Sequence, residues 1–165
     1  MAIGRFYGGI AALLWSPESD LYLLLRRSVE KDYAPGVWEC VTGRVDQGEG
    51  FEDTLLREVR EELGVEVQIE LILGTTHFYR GAPYSENELI GVVCLCSLEE
   101  PDAVRTSAEH SEHRWLSAGE AFELLDAGDP STQWMVRVLQ RAEALKALAS
   151  QEMRSLFRQQ GVELG

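Results

Sequence analysis

Positive charge is scarce in this chain. Its 165 residues carry 15 lysines and arginines against 28 aspartates and glutamates, a formal charge of −13 with an isoelectric point near 4.6. Such a chain lacks the basic footprint that displaces counterions from a nucleic-acid backbone, so duplex nucleic acid is not an expected partner. A phosphorylated substrate would also be repelled unless cations or a local arginine cluster reversed the field. Cysteine is scarce too. Cys40, Cys94 and Cys96 form no disulfide framework and no zinc spacing with one another or with histidine. In "GVVCLCSL" strand alternation turns Cys94 and Cys96 to one face, where they read as small buried hydrophobes, and the low count suits a reducing compartment. No apolar run approaches the roughly 18 residues of a membrane span. The opening "MAIGRFYGGIAALLW" lacks the basic region, uninterrupted apolar run and cleavage site of a secretory leader. The expectation is a cytoplasmic protein without membrane attachment. With no internal repeat or linker, one domain is expected over residues 1–165, with 131–165 as its C-terminal helical segment.

"RFYGGIAALLWS" (5–16) and "LYLLLRR" (21–27) read as strands joined by the turn-like "SPESD". "VWECVTG" reads as a short strand that leads into "RVDQGEG", a loop rich in glycine and carboxylates. A helix is predicted over 51–63, with Phe51, Leu55, Val59 and Leu63 along one face and Gly64 placed to end it in a left-handed turn. "VEVQIELILGTTHFYR" begins in alternation, with Val65, Val67, Ile69 and Leu71 on one side, and "ELIGVVCLCSL" is a more buried strand. "HRWLS" (113–117) is a short strand and "AGEAFELLDAG" (118–128) a short helix. From about Ser131, Trp134, Val138, Ala142, Leu145, Ala149, Met153 and Leu156 mark an apolar stripe on one long helix. Leu145, Leu148, Leu156 and Phe157 would then be left exposed, and an exposed apolar patch predicts a homodimer; the alternative is a helix that folds back near Ser150 and packs on its own domain. Mixed strands around one interior helix, closed by a helical C-terminus, point to an α+β sandwich rather than a doubly wound sheet.

The informative stretch is "REVREELGV" (57–65). Glu58, Glu61 and Glu62 fall within about 100° of helical arc, where like charges at i,i+3 and i,i+4 repel by roughly 0.2–0.5 kcal/mol per pair. Carboxylates gathered so closely offer oxygen ligands to hard divalent cations such as Mg²⁺ or Mn²⁺. Arg57 stands beside them and can hold a glutamate through a charge-assisted hydrogen bond. Gly43 and Gly48 allow a tight loop near the helix N-terminus, where spare N–H groups favour anions, and Glu49 can accept such bonds and fix that loop.

Read backwards, the spacing runs Gly43, five residues, Glu49, seven residues, then Arg57-Glu58-Val59-Arg60-Glu61-Glu62-Leu63-Gly64-Val65. This resembles the Nudix box, GX5EX7REUXEEXGU with U an aliphatic residue, at every defined position. The resemblance implies a Nudix-type α/β/α sandwich with a mixed sheet. It also implies a Mg²⁺- or Mn²⁺-dependent pyrophosphohydrolase acting on a small phosphorylated molecule. It carries over Glu61 and Glu62 as principal metal ligands and Glu58 as a further ligand or as the base that activates water. A later loop often adds a carboxylate; "SAEHSEHRW" offers Glu109, which is preferred here, and Glu112. Trp38, "VTGRVDQGE" and the later "EH…WL" resemble the branch containing the bacterial dihydroneopterin triphosphate pyrophosphatases, although Thr42 stands where many relatives have a second glycine. The substrate expected is a nucleoside or pterin triphosphate, or another nucleoside diphosphate linked to X. The alternatives are a dinucleotide or nucleotide-sugar hydrolase and a non-catalytic nucleotide-sensing module. Arg27 and Arg44 are the phosphate candidates, and Trp38, Phe78, Tyr79 and Tyr84 the stacking candidates. His77, His110 and His113 read as structural or solvent-facing.

Overall fold

In the computed structural model, which describes residues 4–126 and 128–165, the first two apolar runs are the centre of a sheet covered on both faces. Alternation in β1 (Tyr7–Ser16) and β2 (Leu21–Arg27) sends Ile10, Ala12, Leu14, Leu23 and Leu25 into one core. Ala11, Leu13, Tyr22 and Leu24 enter a second core on the opposite face. β3 (Trp38–Glu39), β4 (Val41–Arg44), β5 (Gln68–Tyr79), β6 (Glu88–Ser97) and β7 (His110–Leu116) complete seven strands among the described residues. The order is β3–β2–β1–β6–β5, with β4 also on β1 and β7 on β2. β1 and β6 run parallel and the other pairs antiparallel, which is the mixed sheet expected.

Helix α1 (Phe51–Leu63) covers the first face with Leu55, Val59 and Leu63, and Gly64 ends it at φ 68°, its N–H bonded to the Arg60 carbonyl. Phe51, predicted on that apolar face, is exposed instead. Helices α2 (Ala118–Leu124) and α3 (Pro130–Leu148) cover the second face. A capping box of Ser117 and Glu120 starts α2, and Asp129 caps α3 ahead of Pro130. Ala127, within the short helix predicted over 118–128, and Met1–Ile3, read for a leader, lie outside the described residues.

Four expectations need correction. "VWECVTG" is two strands, broken at Cys40. β7 begins at His110 rather than His113. The alternation from Val65 does not persist: register shifts between Ile69 and Leu71 and between Ile72 and Gly74 reverse the phase. Ile69 therefore enters the first core, while Leu71 and Leu73 enter the second. The long C-terminal helix is a pair, because Ser150 accepts a bond from Met153 N–H at 3.2 Å and starts α4 (Gln151–Gln160) after Ala149 has turned extended. This break folds Leu145 and Phe157 onto the second core, leaving Leu148 and Leu156 as the exposed members of the proposed association surface.

Candidate active site

The loop before α1 is tied down through Glu49. Its carboxylate accepts from Arg57 Nε at 2.8 Å and Nη2 at 3.0 Å, and from Thr54 Oγ1 at 2.9 Å. These bonds pull its carboxyl down to about 2. The remaining Arg57 nitrogen, Nη1, reaches Glu58 at 2.9 Å and Glu61 at 3.3 Å, so one guanidinium spaces three carboxylates. Gly43 lies in β4 against the same cluster. A β-carbon there would run into the Glu58 side chain. The glycine is required for that close approach to Glu58, and its backbone is not left-handed.

At the other end of α1 the polar groups are not satisfied. Glu62 is buried, and burial together with the charges of Glu39, Glu109 and Glu58 pushes its carboxyl up to about 9. Its Oε2 has no hydrogen-bond partner among the described residues. His110, buried on β7, lies 3.7 Å from that oxygen through Nδ1, while its Nε2 donates to Glu39 Oε1 at 3.1 Å. Glu39 in turn accepts from Arg27 Nη1 at 2.8 and 3.1 Å. Desolvation also raises the Glu58 carboxyl, against the pull of Arg57.

Glu58, Glu62 and Glu109 line one cavity of about 610 Å³ together with Arg27, Arg44 and Arg57. Glu109 pairs there with Lys31, whereas Glu112 turns to Arg26 and Arg114 outside it. Glu61 stands apart, 60% exposed and outside the lining. Trp38, Phe78, Tyr79 and Tyr33 give the cavity aromatic walls, and α3 closes it with Trp134, held by Nε1–H to Thr76 Oγ1 at 3.1 Å. Tyr84 is exposed elsewhere.

The sequence reading missed Arg80, at the end of β5. Burial and the nearby charges of Arg44 and Arg27 lower its pKa, and no described residue hydrogen-bonds its side chain. Arg27, Arg44 and Arg80 thus join Arg57 and Arg137 in one cavity of a very acidic protein. His110, expected to be structural or solvent-facing, is buried, and Glu39 gave no sequence signal. Their signal is spatial, since residues 39, 62 and 110 meet only in the fold.

Among the described residues no three carboxylate, imidazole or thiol groups stand close enough to hold an ion as they are. Arg57 and Lys31 are drawn onto Glu58 and Glu109 instead. Even so, a buried carboxylate oxygen without a partner among the described residues, sharing its cavity with Glu58 and Glu109, fits an oxygen-ligated divalent cation.

The fold and this site define a class: the chain matches the NUDIX domain family over residues 6–139 and belongs to that family. It is 37% identical over 91 residues to the asymmetrical bis(5'-nucleosyl)-tetraphosphatase of Mus musculus, an alignment covering 53% of this chain and 60% of the mouse protein. It is 28% identical over 127 residues to the dihydroneopterin triphosphate diphosphatase of Escherichia coli, covering 70% of this chain and 81% of that protein. The crystal structure of a MutT protein from Methanosarcina mazei shares the fold, with TM-score 0.67 and 24% identity over 88% of this chain and 99% of that one.

Proposed function

We propose that the protein is a divalent-metal-dependent pyrophosphohydrolase that cleaves a phosphoanhydride bond next to an aromatic heterocycle. One observation carries the reading: Glu58, Glu62 and Glu109 share a cavity with Arg27, Arg44 and Arg80, and the walls beyond them are aromatic. Bound Mg²⁺ or Mn²⁺ would supply charge stabilisation and lower the pKa of water. Glu62 and Glu109 would hold it, joined by Glu61 once that exposed side chain turns from Arg57. Glu58, desolvated yet steered by Arg57, is the base that accepts a proton from the attacking water. Arg27, Arg44 and Arg80 take the phosphate oxygens and oppose the protein's own negative field. Trp38, Phe78, Tyr79 and Trp134 sandwich the ring.

Nucleoside triphosphates, pterin triphosphates and dinucleoside polyphosphates all combine a flat ring with a phosphate chain. The names of the mouse and E. coli relatives favour the last two. A panel of these compounds, assayed with Mg²⁺ for release of pyrophosphate or nucleotide, tests the proposal. Hydrolysis of at least one, abolished by chelation, is the expected result. Turnover that survives exhaustive chelation overturns it, and so does failure to cleave any member.

A further inference from the structure

β7 departs from regular pairing at one point. Arg26 lies opposite Glu112, but Arg27 lies opposite His110, leaving Ser111 as an extra residue. A bulge re-aims a side chain at the cost of ladder regularity, and here it coincides with the buried His110. The segment just before β7 is clamped to the end of α1: Arg105 N–H donates to the Leu63 carbonyl at 2.9 Å, and Ser107 N–H donates to the Glu62 carbonyl at 2.8 Å. The position of His110 relative to Glu62 is therefore fixed from both sides. Glu39, already paired with Arg27, accepts from Nε2, which leaves Nδ1 as the atom turned to Glu62. Nδ1 and Glu62 Oε2 are both buried and unpartnered among the described residues. Nδ1 and a carboxylate oxygen are both acceptors, so neither satisfies the other without a proton, and each calls for a donor or a cation.

We propose that Arg27, Glu39 and His110 form a part-buried brace that positions the Glu62 carboxylate for cation binding. Arg27 orients Glu39 through two hydrogen bonds, Glu39 fixes the tautomer and ring plane of His110, and His110 limits the directions open to Glu62. Neither Glu39 nor His110 touches substrate in this scheme; both are positioning residues. The inference rests on the divalent-cation reading of the site.

Calorimetric titration with Mn²⁺ alone, well below the melting temperature, tests it in His110→Gln, Glu39→Gln and the double variant. Each single change should weaken Mn²⁺ binding by about 10–100-fold, as loss of a ligand-orienting partner does. Because Glu39 acts through His110, the double variant should bind no more weakly than His110→Gln. A purely structural role would lower the melting temperature and leave Mn²⁺ affinity alone. Unchanged affinity in His110→Gln, or additive losses in the double variant, overturns the brace. If Glu39→Gln does not fold, His110→Gln decides alone. Wild-type protein that binds no Mn²⁺ overturns the cation reading itself, a failure separate from that of the brace.

Discussion

Glu49 and Glu62 stand at opposite ends of α1, and their surroundings differ in kind. Glu49 is met by Arg57 and Thr54, so its charge is stabilised and its carboxyl pulled down to about 2. Glu62 is buried among other carboxylates, with one oxygen unpartnered and its carboxyl pushed up to about 9. A carboxylate that folding has satisfied serves the fold. One that folding has left in want of a cation is available for chemistry. Two glutamates of one short motif thus differ by environment alone, one satisfied by folding and the other left with an unpartnered oxygen.

The comparison is easiest to break at the functional end. Glu58→Gln and Glu62→Gln should each lower kcat/KM by about 10²–10⁴ with little change in circular dichroism, as expected for loss of a base or a cation ligand. Near-wild-type kinetics in either variant would erase the distinction. Next in size is Gly43→Val, whose side chain must displace Glu58. A misplacement of about 1 Å at a reacting group costs on the order of 10²-fold, so kcat should fall while the protein remains folded.

The two ends also predict opposite pH flanks for the metal-free protein. Folding raises the Glu62 carboxyl from its ordinary 4.5 to about 9, so the native state holds the extra proton and stability declines as pH rises through that window. The Glu49 carboxyl is lowered, so its contribution is present above 4.5 and is lost as pH falls toward 2. Melting curves in chelator should show both flanks. Glu62→Gln should flatten only the alkaline one, and Glu49→Gln only the acid one.

The smallest expected effect belongs to a residue remote in sequence. Glu163 accepts from Phe51 N–H at 2.8 Å, where the N-cap Gly50 offers no side chain. Glu163→Ala should cost about 1 kcal/mol, the usual worth of a cap, by urea denaturation with kinetics barely altered.

Helix α1 and its left-handed stop at Gly64 were legible in the sequence. Each depends on near-neighbour periodicity or on one residue type with a strict backbone preference. So was the gathering of Glu58 and Glu62, because helical spacing alone brings them together. Arg80, Glu39 and Trp134 reach the cavity from separate elements, as His110 reaches Glu39, and no local pattern announces them. The bulge beside Glu70 was hidden for a different reason: an inserted residue inverts the alternation on which strand reading relies. At Ser150 a signal was present. A capping serine in the middle of an apolar stripe outweighs the stripe, because the backbone bond it offers ends one helix and begins the next.

The segment after α4 returns to the start of α1 twice, through Glu163 to Phe51 N–H and through Val162 N–H to Glu52 at 2.8 Å. The first turn of the carboxylate-bearing helix therefore cannot fray independently of residues some 110 positions away in the chain. In amide hydrogen exchange the two should behave as one opening unit, with the first turn of α1 losing protection in step with release of that segment.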